Sequence, residues 1–162
     1  MRKEQKGFSL IELLVVVAII LVIAAIAIPN FMRARMSANE SSAVASLRAI
    51  NTAEASYASA YPDTGFGPLA NLGGSAADCA AGPSVNNACY IDNNLASNGG
   101  GGGKDGFNFT VTVAGSPAVS YSVDAEPLSP NTGSRAFCSD ESGVIYYLAP
   151  NTCTPGTGTP IQ

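Results

Sequence analysis

One carboxylate stands alone in a long apolar run. From Phe8 to Ile28 the only charged side chain is Glu12, and no other charge follows until Arg33. An acid placed in hydrocarbon is expensive and marks a position with a task. The chemistry open to it is capture of a positive group brought to it in lipid. A second set of reactive residues lies further on. Cys79, Cys89, Cys138 and Cys153 form an even set, which in an exported domain points to two disulfides. Neighbour pairing, Cys79 with Cys89 and Cys138 with Cys153, is the simplest arrangement, and each short loop closed adds about 3 kcal/mol. Zinc fits these thiols poorly, because the chain has no His and no C-x-x-C pair.

The same lack of His removes Ser-His-Asp and Cys-His nucleophiles and the commonest metal ligand. Asp124 and Glu126 have the right chemistry for acid/base work, but strand alternation puts both on a solvent-facing side. Asp92-Asn93-Asn94 lacks the acid-rich loop of a convincing calcium site. Five glycines before Lys104 fail the phosphate-loop pattern at Asn98 and Asp105, leaving a flexible linker as the reading. Asn39-Glu40-Ser41 and Asn108-Phe109-Thr110 are glycosylation sequons by pattern only. No enzyme activity, cofactor or metal is expected.

The elements that position Glu12 come next. Phe8 to Ile28, as a helix, reaches about 31 Å, enough to cross the hydrocarbon core. Leu, Ile and Val from Leu13 to Ile28 contribute about −5 kcal/mol to insertion against about +3 for the carboxylate, so insertion wins. Arg2, Lys3 and Lys6 precede the span, which by the positive-inside rule keeps the N-terminus cytoplasmic. A secretory signal cut near Ala25-Ile26-Ala27 is the rival reading, and it leaves Gly7 and Glu12 without a role. Pro29 removes a backbone donor, predicting a kink or local melting from Ala25 to Pro29, or else the membrane exit.

From Ser37 to Tyr61 the pattern turns amphipathic, with Val44, Leu47, Ile50, Ala53 or Glu54, Tyr57 and Tyr61 at helical spacing. Glu40, Arg48 and Asn51 are expected on the outer face. Tyr61-Pro62 ends the helix. Residues 62–106 read as a long connection. Phe107, Phe109, Val111 and Val113 alternate with polar residues, as do Val119, Tyr121 and Val123 beyond a Gly115-Ser116-Pro117 turn, which predicts a hairpin. Residues 135–139 and 144–148 predict a second. Beyond Pro62 only Lys104 and Arg135 oppose eight acids, so nucleic acid is not an expected direct partner.

The string Lys6-Gly7-Phe8-Ser9-Leu10-Ile11-Glu12-Leu13-Leu14 closely resembles the class III signal of type IV pilins and the related type II secretion pseudopilins. The resemblance covers residues 6 to 35. It implies cleavage between Gly7 and Phe8 by a prepilin peptidase, N-methylation of Phe8, and use of Phe8, Glu12 and Pro29 in filament assembly. Glu12 would then meet an α-ammonium, either that of its own chain or that of a neighbour. The neighbour is favoured, because the family recruits subunits through this residue.

The implied fold is α+β and pilin-like, a long N-terminal helix packed on a small antiparallel sheet of three or four strands. Its divisions are a leader 1–7, a membrane and filament-core helix 8–35, its amphipathic half 36–61, and a head 62–162. The head comprises loop 62–106, sheet 107–148 and a C-terminal disulfide loop 138–153. The implied function is a structural subunit of a type IV pilus for adhesion, motility or DNA uptake. A type II secretion pseudopilin is the near alternative, and a monomeric membrane-anchored binding module the alternative of another class. Expected partners are copies of itself, the prepilin peptidase, inner-membrane assembly machinery and, before assembly, lipid. The expected location is the bacterial inner membrane as precursor and then the extracellular pilus.

Overall fold

The computed structural model describes residues 9–149 and 152–161. The chain divides into two units, Met1–Arg35 and Met36–Gln162, and helix α1, Leu10–Ala60, supplies residues to both.

In the first unit the side chains of α1 are apolar on every face. Leu10, Leu13, Leu14, Ile20 and Ile26 are all more than half exposed, and the most apolar 18-residue window has a mean hydropathy of 3.3. A helix apolar all round suits lipid or other apolar helices as its surroundings. Pro29 lies inside it, and the backbone from Ala25 to Pro29 stays helical. The expected local melting is therefore not seen in the single chain. One lost hydrogen bond is spread over a helix of 51 residues, whose flanking turns hold the segment in register.

In the second unit the apolar stripe of α1 is buried on a sheet. Ala43, Leu47, Ile50, Ala53 and Tyr57 pack with Phe107, Phe109, Tyr121, Val123 and Phe137. The sheet comprises β1 Phe107–Gly115, β2 Ala118–Pro127, β3 Ala136–Asp140, β4 Ile145–Leu148 and β5 Thr159–Pro160. Its order is β1-β2-β3-β4-β5, every neighbour antiparallel. Both expected hairpins form. The sheet gains a fifth strand, β5, which pairs with Tyr146 and Tyr147.

The segment read as loop 62–106 contains three short helices: α2 Leu69–Leu72, α3 Ala76–Ala81 and α4 Asn93–Ala96. A capping box between Ser75 and Asp78 starts α3, satisfying two orphan amides at once. Cys79 is bonded to Cys89, and Cys138 to Cys153.

The glycine run departs from the free linker expected of it. A 3₁₀ turn spans Gly99–Gly101, and the residues after it are tied to α1. The Lys104 ammonium donates to Ser46 Oγ at 3.2 Å, and the Ser42 hydroxyl donates to Asp105 Oδ2 at 2.7 Å. Gly103, at φ +79°, has no room for a side chain: a Cβ there would meet the Phe107 carbonyl oxygen at 2.6 Å. Glycine here permits close docking of backbone on backbone.

Candidate assembly site

Glu12 sits in the first turn of α1. Its Oε2 accepts the Ser9 backbone N–H at 2.8 Å. This satisfies one of the amides that every helix start leaves without an internal partner, and it sets the negative charge at the positive end of the helix dipole. Glu12 thus has a third partner besides the two ammonium groups weighed above. The signal was present in the sequence as Ser9-x-x-Glu12, the spacing of a capping box. Of that box, the carboxylate half is formed. Gly7 and Phe8, the expected processing and methylation positions, lie outside the described residues. Pro29 is on the same helix as Glu12 and nearly five turns from it, so the two do not form one pocket.

A carboxylate that caps its own helix can still take a second donor. Each carboxylate oxygen has two acceptor positions. An ammonium brought within about 4 Å is attracted by about 4 kcal/mol at an effective dielectric of 20, before desolvation is subtracted. The apolar side chains around Glu12, among them Leu13 and Leu14 at 60% exposure, offer surface to bury in the same event.

The head half of α1 carries two further acids whose places differ from expectation. Glu40, read as outward-facing, is 6% exposed. Its Oε2 accepts Arg135 Nε at 2.9 Å and Nη2 at 2.6 Å, and its Oε1 accepts the Ser134 N–H and hydroxyl. Burial pushes the Glu40 carboxyl up, but these bonds and the Arg135 charge outweigh it and hold the group below its ordinary value. Asn51 also turns inward, donating to Ser139 Oγ and accepting from the Tyr121 hydroxyl. Arg48 is exposed, as expected.

Glu54 is fully buried. Neither Glu40 nor Glu54 was singled out as functional in the sequence, although the heptad spacing of 40, 47 and 54 places both on the buried stripe.

The other sequence candidates are occupied locally. Asp92 Oδ1 accepts the Leu95 N–H and caps α4. Asn39 donates to the Thr132 carbonyl oxygen from within α1, and Asn108 meets the Asn98 side chain. Asp124 is partly buried, and burial with the charge of Glu126 raises its carboxyl above the usual range. Among the described residues no group of three or more Cys, Asp or Glu converges as a metal site.

An apolar helix with an acid in its first turn, joined to an antiparallel sheet, defines the pilin-like α+β class. Residues 2–28 match the family model described as the prokaryotic N-terminal methylation motif. The chain is 48% identical over 54 residues to the type IV major pilin protein PilA of Myxococcus xanthus, covering 33% of this chain and 24% of that protein. It is 55% identical over 38 residues to a type IV wide pilus major component of Thermus thermophilus, covering 24% of this chain and 29% of that one. A fimbrial protein of Pseudomonas aeruginosa is 49% identical over 51 residues, with 32% and 33% covered. The chain therefore spans a quarter to a third of the length of the curated relatives it matches. No solved structure matches it. The matched segment makes the N-terminal part of this chain similar to that of type IV pilins.

Proposed function

We propose that this chain is the structural subunit of a type IV pilus. The precursor inserts through residues 8–35 with its basic leader, residues 1–7, in the cytoplasm. A prepilin peptidase cuts between Gly7 and Phe8, and Phe8 is N-methylated. The inner-membrane assembly machinery then transfers the subunit into a filament, where Glu12 takes the α-ammonium of a neighbour and the apolar helices form the core. The disulfide-closed heads form the extracellular surface, which serves adhesion, motility or DNA uptake.

The observation that carries this reading is the methylation motif, residues 2–28, running into a helix whose apolar side chains remain uncovered. Hydrocarbon before assembly and neighbouring helices after it both satisfy such a surface, whereas water does not. Pro29 suits the same path, since a helix already short of one hydrogen bond is the easiest place for filament packing to loosen it.

Mass spectrometry of subunits from sheared filaments tests the processing. The expected N-terminal residue is N-methylated Phe8. A start at Met1, or at Ile28 as a secretory signal would leave, rejects it. Subunit absent from the sheared fraction but retained in the envelope would instead favour a pseudopilin or a monomeric anchor.

A further inference from the structure

The head carries an ionisable group that filament assembly through Glu12 does not use. Glu54, on the inner stripe of α1, is 0% exposed. Its Oε2 accepts the backbone N–H of Gly67 at 3.0 Å. Its Oε1 is buried and has no hydrogen-bond partner among the described residues. A buried carboxylate with one donor and one orphaned oxygen pays desolvation that a single neutral hydrogen bond does not return. Protonation is the way out of that cost.

Among the described residues no cation stabilises the charged form. On its own helix Tyr57 and Tyr61 follow one and two turns on, and the nearest basic residue, Arg48, is exposed. From the segment after α1 comes Gly67, whose missing Cβ would lie 2.8 Å from the Tyr57 ring. From the sheet comes Tyr121, whose hydroxyl is raised by burial, then by the charge of Glu54, Asp140 and Glu141. Among the described residues the ion pair of the head is Arg135 with Glu40. Burial accordingly raises Glu54 from 4.5 to about 7 against the lowering effect of the Gly67 bond.

Gly67 is where the chain leaving α1 is fastened. Thr64 and Phe66 on one side are tied to Ala118 at the β1–β2 turn. On the other side begin α2 and the loop closed by Cys79 and Cys89. We propose that Glu54 is a proton-operated clamp: neutral, it lets the Gly67 segment close over it against α1, and charged, its demand for solvent outweighs its stronger bond to the Gly67 N–H and loosens that segment from the head. The head is then locked in mildly acidic surroundings and more open at its Gly67 side in alkaline ones.

The sign follows from linkage. The unfolded chain releases this proton near 4.5 and the folded head near 7. The stabilisation is whole below 4.5, declines through the interval, and is gone above 7. With no His in the chain, few other groups titrate there: the N-terminal amine, ordinarily near pH 8, and Asp124, the other carboxyl that burial and the charge of Glu126 push upward.

The test is thermal unfolding of the full-length subunit in detergent micelles at pH 5, 6, 7 and 8, for wild type and Glu54→Gln. Wild type is expected to lose about 70-fold in its folding equilibrium from pH 5 to pH 8, a drop of about 5–10 degrees in midpoint. Glu54→Gln, which cannot ionise, is expected to hold a level midpoint. A level wild-type midpoint, or an undiminished slope in the variant, overturns the clamp.

Should the variant fail to fold, carboxyl carbon NMR of glutamate-labelled wild type decides instead. One resonance titrating near 7 supports the proposal, and all of them titrating below about 5 rejects it. Neither readout requires the chain to polymerise, so this inference and the pilus reading fail separately.

Discussion

At the residue scale, the side chain that most defines the head is Glu40, tied to Ser134 and Arg135 across 94 and 95 residues of sequence. Arg135 also lies over the rings of Phe137 and Tyr147, at 5.6 and 5.2 Å. Removing Arg135 leaves a buried carboxylate with Ser134 alone. Breaking a fully buried pair costs about 3–5 kcal/mol, and the partial exposure of Arg135 reduces that to about 2. Arg135→Ala should therefore show that loss in urea unfolding at pH 7.

The sign with pH is opposite to that of Glu54. Glu40 is held below its ordinary value, so its contribution is present above the unfolded value and fades as acid protonates the folded carboxylate. The deficit of Arg135→Ala should shrink at pH 4, and equal deficits at both pH values would show that stacking rather than charge carries it. The sequence half-disclosed these residues. Positions 40, 47, 50, 54 and 57 share one helical face, and Leu47, Ile50 and Tyr57 announced it. Glu40 was hidden by type, because a carboxylate argues for solvent until its partner is known, and Glu54 stood on the stripe only as an alternative to Ala53. Arg135 and Gly67 are too distant in sequence to be read as partners.

At the element scale, what alternated was legible. Phe107 to Val113 and Tyr121 to Val123 alternate as read in β1 and β2, since every second residue faces α1 and a shift by one would expose Phe107 and Phe109. Val119, read on the same face, is 73% exposed, because the register shifts beside the turn and Ala118 takes the buried place. The four-residue helices α2 and α4 were not legible, being barely one turn and too short to display a period. β5 was masked by its brevity and by Pro160, a residue that sheets accept only at edges; the edge is where it lies.

The second disulfide explains how so short a strand is kept. Cys138 on β3 and Cys153 are buried at 0% and 6% with Ala136, and Tyr146 packs on them as a small second core. The bridge closes the chain between β3 and β5. Replacing both cysteines by Ser should cost about 2–4 kcal/mol. Hydrogen exchange should rise in β4 and β5 while β1 and β2 stay protected. Exchange rising equally in all five strands would mean that the bridge supports the whole sheet and not its C-terminal edge. The Cys79–Cys89 bridge belongs to α3 and the chain after it, so the two pairs should act on separate parts of the head.

At the scale of the whole molecule, two demands meet in one helix and Glu12 separates them. Insertion needs only apolarity: about −5 kcal/mol from the aliphatic side chains against about +3 for the acid leaves a margin that Glu12→Ala can only widen. Assembly, as proposed, needs the charge. Glu12→Ala should thus leave the membrane-bound subunit at its normal level while sheared filaments fall tenfold or more, measured by blotting the two fractions. The bond from Ser9 to Glu12 adds a second arm. Glu12→Gln keeps an oxygen able to accept the Ser9 amide but carries no charge. If Gln behaves as Ala does, attraction for an incoming ammonium is what the filament requires. If Gln restores filaments, the requirement is a capped helix start, and the ammonium pairing is wrong. Normal filaments from Glu12→Ala would remove both readings and leave apolar burial as the whole driving force. The proposal that Glu12 divides these demands was available from the residues alone, because Gly7, Phe8 and Glu12 stand together in a nine-residue string. The capping bond was the part left unread, since its donor is a backbone amide that becomes visible only once the helix start is placed.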